Sequence, residues 1–354
     1  MEEKKDTLGM LDLMIRPGFC VKENQIIKVN QAAESLFITP GTDVRPLLLT
    51  GSEEYAAFTG GCLYLTLSLS SHSCGASVTR VDDIDVFLLE QESDNGELRS
   101  MALAARELRE PLTNVMITAD SLFPLCAAES SPRTAEQVAR LNRGLFQILR
   151  IIGNMSDAER CAAVSHQETV DIPALFAEFF EKAETLVSHT GITLTYEGPD
   201  QPIYGLADRE QLERAVLNIL SNAIKFTPKG GTVTAKLTRS GRMLRLSVTD
   251  SGSGIAQSVR SSVFSRYLRQ PALEDSRYGI GLGMVLIRTA AAHHGGAVLI
   301  DQPEGVGTRI TMTMSIRQSK QATLRSNVLR VDYAGERDHG LIELSECLPT
   351  ELYE

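Results

Sequence analysis

The chain has no surplus of positive charge. Lysine and arginine number 35 against 45 aspartates and glutamates, a formal net charge of -10, and no long basic cluster interrupts the sequence. That argues against a nucleic-acid surface, which needs a basic face. Long apolar runs are missing too: none approaches the ~18 residues of a membrane helix. The charged start, Met1-Glu-Glu-Lys-Lys-Asp6, leads into no signal-type apolar core, so the expectation is a cytoplasmic protein without membrane insertion. Cys20, Cys62, Cys74, Cys126, Cys161 and Cys347 form no Cys-x-x-Cys pair. This argues against a metal site or disulfide framework and for free thiols. What remains is an ordinary globular composition, 43% hydrophobic and 23% charged over 354 residues, long enough for two or three domains.

The informative stretch runs from Leu212 to Met284. Leu212, Val216, Ile219, Leu220 and Ala223 keep a helical period that Pro228, Gly230 and Gly231 end. Asn218 and Asn222 are four apart and share one helix face. Their carbonyl oxygens are hard ligands suited to a hydrated Mg2+, and Lys225 could reach an anion beside it. Next, an alternating strand from Leu244 runs into Asp250-Ser-Gly252-Ser-Gly254. That carboxylate can accept from a base amine, and the glycines let backbone approach a flat ring. Gly279-Ile-Gly281-Leu-Gly283 then opens an apolar helical run, the arrangement of an anion cradle. It is neither the dinucleotide fingerprint nor a P-loop. Each piece alone has a plainer reading: a core helix with solvent-facing amides, an Asp/Gly turn, a glycine-rich loop.

In this order and spacing the pieces resemble the N, G1 and G2 boxes of the histidine-kinase catalytic domain, a member of the GHKL (Bergerat) ATPase superfamily. Val263-Phe264-Ser-Arg266-Tyr267 resembles the F box, and Glu304-Gly305-Val-Gly307-Thr308 the last glycine-containing turn. The resemblance implies an α/β sandwich, a mixed sheet under three helices, with ATP beneath a lid between Gly254 and Gly279. By the same likeness Asn222 is the Mg2+ ligand, Asn218 supports metal or phosphates, Lys225 meets phosphate and Asp250 the adenine amine. Gly252 and Gly254 line the base, and Gly279, Gly281 and Gly283 close on the triphosphate. Arg266 and Arg277 on the lid add charge near the γ-phosphate.

Around this core the expected class is α+β multidomain. Residues 1–90 read as two strands in a hairpin, a short helix behind Asn30, and further antiparallel strands at Cys62–Leu69 and Val78–Leu89, with Gly75 in the turn between them. The order resembles a PAS sensor domain. Residues 91–165 carry heptad-spaced apolar series from Leu98 to Leu122 and from Val138 to Met155, broken between Pro124 and Pro132. A hairpin of two such helices cannot bury both seams alone, which predicts a homodimer with a four-helix bundle. Residues 166–317 form the ATP-binding domain, its first strands at Ile192–Tyr196 and Ile203–Gly205. In residues 318–354, alternation at Val328–Tyr333 and Leu341–Leu348 predicts a β-hairpin packed on that domain.

Ala105-Arg106-Glu107-Leu108-Arg109-Glu110-Pro111-Leu112 resembles the H box of histidine kinases. Glu107, the position of the base, is retained, but Arg106 stands where the family has its phosphoacceptor histidine. A guanidinium stays protonated and cannot attack a γ-phosphate as a neutral imidazole does. The expectation is a sensor-histidine-kinase-like signalling protein that binds ATP and Mg2+ without self-phosphorylation at Arg106, with a response regulator or partner kinase. Two alternatives stand beside it: a kinase acting on a partner's histidine or another side chain, and a non-enzymatic dimeric scaffold.

Overall fold

A computed structural model describes residues 9, 11–12, 14–69, 72–90, 92–128, 132–163, 166–255, 263–264, 282–303, 307–317 and 337–353. The chain opens in a hairpin of β1 (Gly18–Lys22) and β2 (Gln25–Val29). Its two turn residues, Glu23 and Asn24, hold φ of 50° and 64°, which matches the twist of the flanking strands. Asn30 caps α1 (Gln31–Glu34) by accepting from the Ala33 amide, and α2 (Ser52–Ala56) follows. The strands β3 (Cys62–Ser68), β4 (Ser73–Val81) and β5 (Ile84–Leu89) complete the order β2-β1-β5-β4-β3. Alternation along β3 sends Leu63, Leu65 and Leu67 into this unit's core, with Phe19 and Phe87 stacked at 4.7 Å. Gly75 lies inside β4 opposite Thr66, not in the expected turn. A side chain there would meet the Tyr64 ring and the Glu90 carboxylate, so the glycine makes room for a contact rather than for a bend.

Two long helices come next, α3 (Glu92–Ala128) and α4 (Pro132–Ala163). The expected break at Pro124 is displaced, because α3 runs through it to Ala128. A proline removes one helical N–H bond and clashes with the carbonyl four residues back, and a long packed helix tolerates that. Ala102, Ala105, Leu112, Met116 and Ala119 are buried, while Leu108, Val115 and Leu122 on α3 and Leu141 and Ile148 on α4 remain about half exposed. Their spacing of seven makes continuous apolar stripes.

The third unit holds α5 (Ile172–Ser188), α6 (Arg209–Phe226) and α7 (Leu282–His293) against a mixed sheet of β7 (Thr193–Glu197), β9 (Thr232–Ser240), β10 (Met243–Asp250), β11 (Val298–Asp301) and β12 (Arg309–Ser315). Its strand order is β11-β12-β10-β9-β7, with β7 parallel to β9. Asp208 caps α6 as expected, accepting from the Gln211 amide. The strand at Ile203–Gly205 does not enter this sheet: β8 (Tyr204–Ala207) pairs with β6 (Glu168–Asp171) in a separate ribbon. Only β7 reaches the main sheet, where it gains a parallel partner.

Two features come from outside this unit. Strand β3 pairs antiparallel with β11, Tyr64 opposite Val298 and Cys62 opposite Ile300, so the first and third units share one ten-stranded sheet. Beyond residue 336 the expected hairpin is absent. Leu341–Leu348 forms a short helix, α8 (His339–Glu343), and turns leading to a 3-10 turn at Thr350–Tyr353, while Val328–Tyr333 lies outside the described residues. Asp338 caps α8 by accepting from the Leu341 amide at 3.0 Å. A capping aspartate followed by an apolar run is a helix-start signal, and it overrode a short alternation that fits either period. The segment does pack on the third unit, as expected, with Ile342, Leu344, Leu348 and Tyr353 buried. Among the described residues, no disulfide joins Cys20, Cys62, Cys74 and Cys347, and no helix is long and apolar enough to cross a membrane.

Candidate functional site

At the end of β10, Asp250 is buried, and its Oδ1 accepts from the Gly252 amide at 2.8 Å and the Thr308 amide at 3.2 Å. Burial raises its pKa, and those two amides oppose the rise. Gly252 lies so close to the Phe226 carbonyl at the end of α6 that a side chain would collide with it. Gly307, at φ 111°, approaches the Asp250 carbonyl equally closely. Gly254 also holds positive φ, beside Gln302. One carboxylate, two glycine turns and the end of a helix thus converge.

The other end of the site lies along α6. Asn218 is 1% exposed. Its Nδ2 donates to the Arg214 carbonyl at 2.9 Å, and a Cβ on Gly283 would stand 2.7 Å from its Oδ1. The first turn of α7 therefore abuts α6 where the motifs anticipated. Asn222 is half-buried one turn along, with no hydrogen-bond partner among the described residues. Lys225 ends the face in an ion pair with Glu346.

Glu343 and Glu346 were not expected here. The fully buried Glu343 accepts from Asn218 Nδ2 at 3.4 Å and pairs with Arg150 at 3.2 Å and Arg214 at 3.1 Å. Arg150, on α4, also meets Glu346 at 2.9 Å and donates to Ser221 Oγ at 3.1 Å. Arg214 adds an ion pair with Asp157 and a bond to Asn154 Oδ1 at 2.7 Å. Burial works to raise the Glu346 pKa, but Arg150 and Lys225 outweigh it and hold the carboxyl below its ordinary range. No spacing pattern links positions so far apart.

Phe264 is buried against Tyr64 of the first unit, ring centroids 5.6 Å apart. Arg288 of α7 donates to the Phe264 carbonyl at 2.9 Å, lies over the Tyr64 ring at 4.9 Å and pairs with Glu90 at 2.5 Å. Tyr64 donates to Glu90 at 3.0 Å. Arg106 and Glu107 are exposed on α3. One turn before them, Met101 packs with Met155, Leu282 and Val285 at the start of α7. Arg266, Arg277, Gly279 and Gly281 lie outside the described residues. His294 is 2% exposed, with Nε2 accepting from the Asp208 amide and Nδ1 donating to the Ala290 carbonyl. Burial lowers its pKa, which leaves a neutral ring with both nitrogens engaged. His293 and His339 meet Gln211 and Glu213.

Residues 207–318 match the family described as histidine kinase-, DNA gyrase B-, and HSP90-like ATPase. An uncharacterized sensor-like histidine kinase of Rhizobium meliloti is 29% identical over 276 residues, 73% of this chain and 52% of that protein. The adaptive-response sensory kinase SasA of Synechocystis is 30% identical over 224 residues, 61% of this chain and 58% of that protein. The chain thus spans about half of the length of these relatives. Among solved structures, full-length ShkA in complex with AMPPNP matches with a TM-score of 0.51 at 24% identity, over 62% of this chain and 46% of that one. That similarity bears on the fold.

Proposed function

For a sensor-histidine-kinase-like chain, with a histidine kinase-, DNA gyrase B-, and HSP90-like ATPase domain over residues 207–318, we propose Mg-ATP binding without self-phosphorylation at Arg106. The observation that carries the reading is that Asp250, Gly252 and Thr308 come together at the end of α6, the helix that bears Asn218 and Asn222, while Gly283 abuts Asn218 farther along it. Asp250 accepts from the adenine amine, and the glycine turns admit the ring against backbone. Asn218, Asn222 and Lys225 take the phosphate end, with Gly283 beside them. The site suits Mg2+: Asn222 has an uncommitted amide among the described residues, and the Asn218 oxygen is turned toward Gly283 while its Nδ2 makes the hydrogen bonds. When bound, the ion neutralises phosphate charge and orients the triphosphate.

Arg106 ends the usual chain of transfer, because a guanidinium offers no lone pair for attack. Residues 1–90 act as a PAS-like input unit, a role supported by the strand order β2-β1-β5-β4-β3 and by the Tyr64–Phe264 contact. Residues 91–165 form a homodimer through the half-exposed stripe of Leu108, Val115 and Leu122, residues 166–317 bind nucleotide, and a response regulator or partner kinase receives the output in the cytoplasm.

The test pairs a titration with a fluorescent ATP analogue and an incubation with γ-labelled ATP. Expected are Mg2+-strengthened binding that Asn222→Ala and Asp250→Asn abolish, no acid-labile label on the wild type, and label on Arg106→His. Acid-labile label on the wild-type chain would favour an active kinase instead.

A further inference from the structure

Two of the groups assigned above to the phosphates, Lys225 and Asn218, already have partners. Lys225 is paired with Glu346 and Asn218 Nδ2 is shared with Glu343, two carboxylates carried by α8 and the turn after it. Carboxylate and phosphate oxygens compete for the same donors, ammonium, guanidinium and amide N–H. Their seat is also built rather than incidental. Glu343 is 0% exposed between Arg150 and Arg214. Arg143 donates to the Ser345 carbonyl at 2.9 Å and the Glu346 carbonyl at 3.1 Å. Asn142 donates to the Tyr353 carbonyl at 2.9 Å, and the Tyr353 ring meets Phe146 edge-on at 5.2 Å. The segment therefore binds α4 and α6 at once, through a groove that is cationic where it faces the two glutamates and apolar beneath Ile342, Leu344 and Leu348.

Resting on the nucleotide-binding reading, we propose that the segment from Asp338 to Tyr353 is an intramolecular inhibitor, an acidic peptide docked at the phosphate end of the nucleotide pocket. While it is docked, Lys225 is withheld from the triphosphate, Asn218 Nδ2 is committed to Glu343, and Glu346 places negative charge where phosphates must enter. The same contacts staple the ATPase unit to the helical hairpin through Arg150, Glu343 and Arg214. Nucleotide entry and freedom of the ATPase unit relative to α4 are consequently one event. Release uncovers Leu344, Leu348 and Tyr353, so it needs a compensating ligand, either Mg-ATP itself or an acidic segment of a partner taking the same groove.

The full-length chain tests this with Mg2+ and a fluorescent ATP analogue. Glu346→Gln keeps the shape but frees Lys225, and it should tighten binding roughly tenfold, the equivalent of ~1.4 kcal/mol. A second measurement uses the unaltered chain: saturating Mg-AMPPNP should speed amide exchange across residues 339–353. Equal or weaker affinity in Glu346→Gln overturns the proposal, as does nucleotide binding with unchanged or slower exchange in that segment. If the wild type and Glu346→Gln bind equally well, only the inhibitor falls. If neither binds at millimolar analogue, the nucleotide reading falls with it.

Discussion

Asp250, at one end of the candidate pocket, is held by the amides of Gly252 and Thr308 from its own domain. Lys225 and Asn218, at the other, are held by Glu346 and Glu343 from the far end of the chain. The first set of contacts is backbone geometry and cannot be exchanged without refolding two turns. The second is a set of charge pairs, which another anion can replace. A site rigid at one end and exchangeable at the other can keep its shape for a base while its affinity for phosphate is regulated.

The strongest challenge to this contrast is Arg150→Ala. It removes one of the two arginines around the fully buried Glu343, a change that costs about 3–5 kcal/mol when a buried charge loses its partner. The expected outcome is a lower unfolding midpoint and loss of amide protection at Ile342 and Leu344, with Gly252 and Thr308 still protected. Loss of protection at both ends together would show that the two are not independent.

Asp250→Ala should have a smaller effect of opposite location. It strands two buried amides, which costs about 1–3 kcal/mol, and it should abolish analogue binding while leaving the C-terminal segment protected. Thermal unfolding and amide exchange read out the two parts separately.

Acidification should separate the ends most gently. The folded-state pKa of Asp250 is raised, mainly by burial, so its charge costs stability that is lost as pH rises from the ordinary value through the raised one. Glu346 runs the other way. Burial is outweighed by Arg150 and Lys225, so its contribution is present above the ordinary carboxylate range and disappears as pH falls through the lowered value. As pH falls below the ordinary carboxylate value of 4.5 the C-terminal segment should loosen while the Asp250 turn does not. Protection factors, corrected for the intrinsic pH dependence of exchange, check this.

Much of the candidate site's own backbone and side-chain pattern was legible in the sequence because its signals are local. An Asp-Ser-Gly turn after an alternating strand, and asparagines four apart behind a capping Asp208, depend on neighbours a few positions away. The folded chain brings Asp250, Gly252 and Thr308 together, and Asn218 beside Gly283. The exchangeable end was hidden. Glu343 and Glu346 resemble solvated charges on paper, and only packing against Arg150 and Arg214 makes them internal. The eight residues of Leu341–Leu348 fit either period, so their alternation suits a strand, whereas the cap at Asp338 starts a helix. The pairing of β3 with β11 was equally invisible, since a free edge presents backbone groups rather than side chains.

From residue order alone came most of the helices and strands, the turn at Asp250 and the heptad spacing of the apolar stripes on α3 and α4, since each depends on spacing or on the chemistry of one side chain. Which sheet edge meets which, and which carboxylate reaches Lys225, were decided by the tertiary structure. Those contacts join positions more than a hundred residues apart, and their strength comes from a burial that no local pattern encodes.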